Sequence, residues 1–251
     1  MILDIINSGS NGNCYILHNN TEALVLEAGV PLKKITDILG GVSCIRACLI
    51  THEHSDHAGY IEQYMARGVE CYCTKGTASN LKYKWKWQPN EVNIGKIYHF
   101  GGFSVFPIKT IHDYPTCRAI EPCGYLISHE ETGTVLFATD TQYLENKFEK
   151  LSNVLIEANY DEKLLNDNVV NGFVDKARAE RTKKTHMSLN TCIDTLKAND
   201  LSNVNNIVLI HLSRENAEPE FFQSKVGMIT GKKVYSAIKG LRLTDFNKIK
   251  Q

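Results

Sequence analysis

The chain has 251 residues, with 28 Lys and Arg against 28 Asp and Glu, so its formal net charge is zero. That length allows one large domain or two small ones around a sizeable core. The neutral balance excludes a global basic field drawing the protein to nucleic acid or anionic membrane, though not a local one, and no apolar run approaches the ~18 residues of a membrane span.

In chain order, residues 2–6 read as a short strand, followed by Asn7-Ser8-Gly9-Ser10-Asn11-Gly12-Asn13, a run dense in turn residues. Such a loop either cradles a phosphate through backbone N–H groups or is a plain turn. Strands follow at 14–17 and 23–27. A helix is predicted from Pro31 to Gly40-Gly41, with proline near its start and glycine past its end. The apolar run 47–50 reads as a buried strand, and it delivers Thr51-His52-Glu53-His54-Ser55-Asp56-His57-Ala58-Gly59. His52 and His54, two apart, leave an extended backbone on the same side, and Asp56 and His57 can turn to a neighbouring point. Three imidazoles and a carboxylate within six positions suit a metal, zinc above all, manganese or iron less specifically.

A helix at 60–67, a strand at 70–74 and, at 77–86, either a helix or a partly ordered cover come next. Within the cover Lys82-Tyr83-Lys84-Trp85-Lys86-Trp87 alternates cation and aromatic. That run is either a base-stacking platform or an amphipathic segment with packed rings and solvated lysines, the second being preferred. Strand 103–111 ends at His112 and Asp113. A hairpin pairs 123–128 with 134–138 and ends at Thr139-Asp140-Thr141. Strand 153–157 leads into Ala158-Asn159-Tyr160-Asp161. The charged stretch 161–184, with Lys176, Arg178, Arg181, Lys183 and Lys184, runs straight to His186. A helix at 187–198, a strand at 206–210 ending at His211, a last helix and a strand at 232–238 complete the chain. With no repeat or linker, and with polar candidates at strand ends, one α/β domain over residues 1–251 is expected.

The eight cysteines form no CxxC pair and mostly sit in apolar runs. Together with a start, Met1-Ile2-Leu3-Asp4, that lacks a signal pattern, they predict reduced, buried thiols and a cytoplasmic location.

His112, Asp140 and His211 each follow an apolar strand, as the first cluster does. Together the residues allow two cation positions, one on His52, His54 and His112, the other on Asp56, His57 and His211, with Asp140 as the bridge. Two such cations about 3.5–4 Å apart can share a hydroxide that is a nucleophile at neutral pH and can neutralise charge on phosphoryl or acyl oxygens. His18, His99 and His129 lack comparable settings.

The His-x-His-x-Asp-His run resembles the metallo-β-lactamase superfamily, and the chain looks most similar to its YycJ (WalJ) branch. Further residues carry the resemblance in the expected order: Ser8-Gly9-Ser10-Asn11-Gly12-Asn13-Cys14, His112-Asp113-Tyr114-Pro115, Thr139-Asp140-Thr141, Glu157-Ala158-Asn159-Tyr160-Asp161, His186-Met187-Ser188 and His211-Leu212-Ser213-Arg214-Glu215-Asn216. The resemblance implies a single-domain αββα sandwich and two divalent cations, Zn²⁺ with Mn²⁺ as the alternative. It also implies hydrolysis of a phosphodiester, in a branch similar to RNase Z enzymes. By motif position it makes His186 the proton donor to the leaving oxygen, with Asp56 as the other catalytic group and Ser10, Asn11 and Asn159 as substrate contacts. Two positions depart from the family: Glu27 stands where many members have Asp, and Tyr160 where the branch often carries His. No long inserted arm of the RNase Z kind is present.

The expected function is therefore a dinuclear metal-dependent phosphodiesterase, a nuclease acting on DNA or RNA. A cyclic-nucleotide phosphodiesterase is the alternative, and an acyl hydrolase of lactam, lactone or thioester a further one. Asp140 as bridge argues against lactamases that use cysteine there. The expected partner is a nucleic acid or nucleotide substrate and no membrane, with homodimerisation left open.

Overall fold

The computed structural model describes residues 1–81, 87–112 and 119–249. Most of the lysine–aromatic run (82–86), and residues 113–118 with Asp113, Tyr114, Pro115 and Cys117, lie outside them.

Strands β1 (Ile2–Asn7), β2 (Cys14–His18), β3 (Ala23–Leu26), β4 (Ile45–Leu49), β5 (Cys71–Thr74) and β6 (Asn90–Val92) lie side by side in one sheet. Strands β7 (Tyr98–Phe100), β8 (Phe103–Lys109), β9 (Cys123–His129), β10 (Gly133–Ala138), β11 (Leu151–Glu157), β12 (Asn206–Ile210) and β13 (Lys233–Ser236) make the second. Each sheet is half antiparallel and half parallel: β3–β4–β5–β6 and β10–β11–β12–β13 run parallel.

The apolar runs resolve into two faces by the two-residue period of a strand. Leu24 and Leu26 of β3, Leu49 of β4, Leu155 of β11 and Val208 and Ile210 of β12 enter the core between the sheets with Tyr15, Tyr125 and Phe137. Their neighbours Val25, Cys48 and Ile50 pack outward under α1 (Lys33–Leu39), α2 (Ser55–Ala58) and α3 (Ile61–Met65). Next along the chain comes α4 (Lys75–Asn80). On the other flank Val154, Ile156, Ile207 and Leu209 meet α7 (Leu189–Ala198) and α8 (Pro219–Thr230). Continuous apolar strands covered on both faces make an αββα sandwich. The hairpin α5 (Glu162–Val170) and α6 (Lys176–Thr185) stands apart on a small cluster of Tyr160, Leu165, Val174 and Ala179.

The expected helix after Pro31 begins two residues later, at Lys33, and ends where Gly40 takes a left-handed φ of 73°. The solvated stretch 161–184 is two capped helices, with Asp161 accepting from the Leu164 N–H and Asp175 from those of Ala177 and Arg178. Strand β14 (Arg242–Leu243), absent from the sequence-based assignment, closes the first sheet against β1. It is too short to show a period, and a bidentate contact holds it: Arg242 donates Nε to Asp4 Oδ1 at 2.6 Å and Nη2 to Oδ2 at 2.8 Å.

Burial would raise the Asp4 carboxyl, but hydrogen bonds from His18 and Arg242 outweigh it and hold the group below its ordinary 3.8. A depressed folded value contributes stability above that pH, lost as pH falls through the folded value. Arg242→Ala is expected to cost about 1–2 kcal/mol near neutrality, the guanidinium being half exposed. The gap between variant and wild-type urea midpoints should begin to narrow near pH 3.8 and close as pH falls through the lower folded value; a gap independent of pH would remove the charge pair as its cause.

The loop 7–13 is pinned against the histidine loop. The Asn13 N–H donates to the Asp56 carbonyl (2.6 Å) and the Gly29 N–H to the Asn13 carbonyl (3.0 Å). A Cβ on Gly29 would stand 1.9 Å from the Asp56 carbonyl oxygen and 2.5 Å from the Asn13 nitrogen, both backbone atoms. Gly29→Ala is therefore expected to destabilise by about 1–3 kcal/mol and to lower metal retention, read as an earlier urea midpoint and less metal per chain. Unchanged retention would dissociate this contact from the site.

Candidate metal centre

The expected ligands converge. Glu27, His52, His112, Asp140, Glu157 and His211 all stand at or just past carboxyl ends of strands, so the two sheets bring them to one edge of the sandwich. His52 and His54 leave an open loop with His52 Nε2 and His54 Nδ1 2.9 Å apart. The chain then turns into α2, whose four residues carry Asp56 and His57 beneath the first pair. The His52 and His57 ring centroids are 4.1 Å apart, and His52 and His112 5.0 Å.

Three overlapping donor sets have all their ligand atoms within 4.8 Å of one another: His52, His54, His112 and Asp140; Asp56, His57, Asp140 and His211; Asp140, Glu157, His186 and His211. The first two are the expected groupings, and Asp140 is common to all three. Imidazole nitrogens with carboxylate oxygens form a borderline donor set of the zinc kind. A buried polar atom also wants a partner here: His211 Nε2 is buried without a hydrogen bond. His211 Nε2 faces Asp56 Oδ2 at 3.6 Å. These residues fit divalent cations.

The surroundings orient the donors. His112 Nδ1 lies 2.8 Å from the Thr185 carbonyl, which can only accept, so Nδ1 carries the proton and Nε2 is left for a cation. His57 Nδ1 faces Glu27 Oε1 at 3.4 Å, while Thr51 N–H donates to Glu27 Oε2 at 3.3 Å. Glu27, one methylene longer than the family's Asp, thus still backs His57, from a left-handed φ of 69°. Asp140 (φ 46°) and His211 (φ 54°) hold the same uncommon conformation. Three non-glycine residues in that region at one site are strain retained where side chains must be aimed.

Charge is concentrated to match. Burial opposes ionisation of Asp56 and Asp140, yet facing imidazoles hold both carboxyls far below the usual range. Burial lowers His211 too, but Asp140, Asp56 and Glu157 raise it to about 10. Burial and the neighbouring histidines push His52 well down, and burial takes His112 down to about 4. The side facing His52, His54 and His112 is thus poor in protons, as ligands must be.

Some expected residues sit elsewhere. Asn159, expected as a substrate contact, is buried behind His211, its amide donating to the His211 carbonyl at 2.8 Å. Ser10 and Asn11 are exposed at the crest of loop 7–13. With its amide turned so that Oδ1 faces Arg214, Asn11 accepts from Nη2 (2.8 Å) and Nη1 (3.0 Å). The phosphate-cradle reading of that loop is reduced, because the N–H groups of Gly9 and Gly12 are bonded within the loop and that of Asn13 to the Asp56 carbonyl. Tyr160, in the family's histidine position, anchors the α5–α6 cluster. His18, His129 and His99 pair with Asp4, Glu22 and Ser104, away from the site. A cavity of about 660 Å³ between α1 and α3 holds none of the site's residues.

Two side chains were given no role by sequence reasoning. Glu157 is buried and takes His186 Nδ1 at 2.7 Å and His211 Nδ1 at 3.2 Å on Oε1. Its Oε2 accepts from the Thr141 N–H (2.9 Å) and the Met187 N–H (3.2 Å). The signal was a carboxylate closing an apolar strand, as at Asp140. Asn13 Nδ2 lies 3.1 Å from His57 Nε2; nothing local marked it among the asparagines of its loop. His186 itself stands at the end of α6, its ring 5.2 Å from His211 and inclined by 21°.

A family model described as a beta-lactamase superfamily domain matches residues 31–212. The chain is 32% identical over 176 residues to the exodeoxyribonuclease WalJ of Streptococcus pneumoniae, covering 64% of this chain and 63% of that protein. It is 25% identical over 175 residues to the exodeoxyribonuclease YycJ of Bacillus anthracis, covering 64% of each. The match therefore spans less than two thirds of these relatives' length. Among solved structures, the metallo-beta-lactamase fold protein YhfI of Bacillus subtilis superposes with a TM-score of 0.70 at 16% identity, covering 96% of this chain and 98% of that one.

Proposed function

The chain belongs to the beta-lactamase superfamily, and from that premise we propose that it is a metal-dependent hydrolase of phosphodiester bonds, a nuclease acting on DNA. In this reading one divalent cation, zinc or manganese, is held by His52, His54 and His112, a second by Asp56, His57 and His211, and Asp140 serves both. Such cations supply Lewis acidity and charge neutralisation for phosphoryl oxygens. The rest falls to the protein's own groups.

The observation that carries the phosphodiester reading is the Glu157–His186 pair. His186 Nδ1 is bound at 2.7 Å to a buried carboxylate, and burial notwithstanding, the facing His186 and His211 hold that carboxyl below its usual range. Glu157 therefore accepts a proton on Nδ1 and turns Nε2 away from itself. Among the described residues no hydrogen bond takes up Nε2. An imidazole so oriented, beside the donor cluster, is placed to deliver a proton to a departing sugar oxygen. Asn159 keeps His211 in register through its carbonyl. The names of the curated relatives, both exodeoxyribonucleases, favour DNA as the substrate. A cyclic nucleotide is the second reading, favoured by the zero net charge.

The test is a substrate panel on metal-loaded protein: bis(p-nitrophenyl) phosphate, single-stranded DNA, RNA, cyclic nucleotides and a chromogenic lactam, with metal per chain measured alongside. Turnover of the diester and of DNA, without the lactam, is expected. Turnover of the lactam alone would end the phosphodiesterase reading, and cyclic nucleotides alone would replace DNA by the second.

A further inference from the structure

We propose that α6, with the turn before it and Arg214 beside it, is a docking track that brings single-stranded DNA to His186. The inference rests on the nuclease reading and adds the route by which a polymer reaches the site.

Helix α6, the turn before it and residues 211–216 carry six cations, Lys176, Arg178, Arg181, Lys183, Lys184 and Arg214, against three carboxylates, Asp175, Glu180 and Glu215. All three carboxylates are engaged: Glu215 with Arg178 at 2.9 Å, Glu180 with Lys183 at 3.4 Å, and Asp175 as the cap that accepts from the Ala177 and Arg178 N–H groups. Lys176, Arg181, Lys184 and Arg214 are exposed and have no carboxylate partner among the described residues. Because the whole chain is neutral, the remaining surface carries a matching negative excess. A polyanion is thus repelled elsewhere and drawn here.

The track has a direction. Helix α6 ends at its cap residue His186, so Lys184 and Arg181 lie within about one and a half turns of the proposed proton donor. Its ten residues span about 15 Å, enough to follow a few nucleotides of an extended strand. Arg214 belongs to the loop that follows His211. Arg178 and Glu215 tie that loop to α6, and Asn11 fixes the Arg214 guanidinium from the opposite wall without neutralising it.

At the far end the turn before α6 exposes Phe173 (76%), beside the exposed last residue of α5, Val170 (84%). The turn is well anchored: Val174 is buried beside Leu165, and the N–H groups of Phe173 and Val174 both donate to the Asn168 carbonyl. A solvent-facing ring on an anchored turn, heading a cationic row, is the combination used for single strands, where an unstacked base lies on the ring while phosphates follow the cations. Complementing the helix dipole accounts for Lys183 and Lys184 in the last turn. It accounts neither for Arg181, nor for Arg214 on another element, nor for Phe173.

The test is fluorescence anisotropy of metal-loaded protein with a labelled, nuclease-resistant phosphorothioate oligothymidylate, over a range of salt. The double variant R181Q/K184Q should bind more weakly, with a log K against log salt slope shallower by about 1.4, two contacts' worth on a single strand. Phe173→Ala should weaken binding by about 5- to 150-fold. Both variants should turn over bis(p-nitrophenyl) phosphate at the wild-type rate, because a diester that small has no reach along the helix. Affinity and slope unchanged in both variants would overturn the proposal, and so would an equal loss on a blunt duplex. Variant-dependent binding by a protein that hydrolyses no diester would sustain the track and sink the nuclease reading.

Discussion

Asp140→Asn is expected to lower phosphodiester turnover by about 10³-fold or more and to strip divalent metal from the protein. Asp140 is the one residue common to all three donor sets. Its carboxylate is buried and held far below its ordinary range by His211 and His57 against the pull of burial, so it is an anion where two cations would meet. An amide keeps the shape and loses the charge. The two-cation arrangement is tested by contrast with Asp56→Ala. Asp56 is partly exposed and belongs to a single set, so its loss should release about one cation of two and leave the other on His52, His54, His112 and Asp140. Turnover should still be abolished, because one position is broken. Elemental analysis of the two variants separates the cases, and equal metal loss in both would argue for one shared cation.

His186→Ala should slow DNA hydrolysis by about 10²–10⁴-fold with metal retained, if His186 supplies the proton to the leaving oxygen. A nitrophenolate leaves without a proton, so the same variant should lose far less on bis(p-nitrophenyl) phosphate. That split distinguishes an acid from a ligand: loss of metal, or equal losses on both substrates, would take His186 out of the role. Glu157→Gln is the companion. The Glu157 carboxylate accepts from donors at both oxygens, the imidazoles on one side and two backbone N–H groups on the other. Glutamine has one acceptor and one donor, so either orientation opposes two donors. A stability loss of about 1–3 kcal/mol should accompany a fall in activity on DNA.

The extent to which the site was legible depended on range along the chain. His52, His54, Asp56 and His57 were readable because their spacing is local and the strand before them is apolar. Asp140 and His211 were readable because a polar residue closing a buried strand needs a reason to be there. Glu157 obeys the same rule but was quoted only as part of a motif. Asn159 was read as facing substrate, whereas the parallel pairing of β11 with β12 sets it behind His211.

Apolar runs and turn residues by themselves determined an α/β fold, the helix stop at Gly40 and the histidine loop at 52–57, while the αββα layering was implied by the family resemblance. Sheet order decided the rest. It set the Thr185 carbonyl against His112, 73 residues away, and the Ser8 hydroxyl against the His211 N–H, 203 residues away. It also brought the end of a locally capped, charged helix onto the site. Period and propensity act between near neighbours, while the partner of a buried polar group is whichever strand end the closed sheets leave within about 3 Å of it.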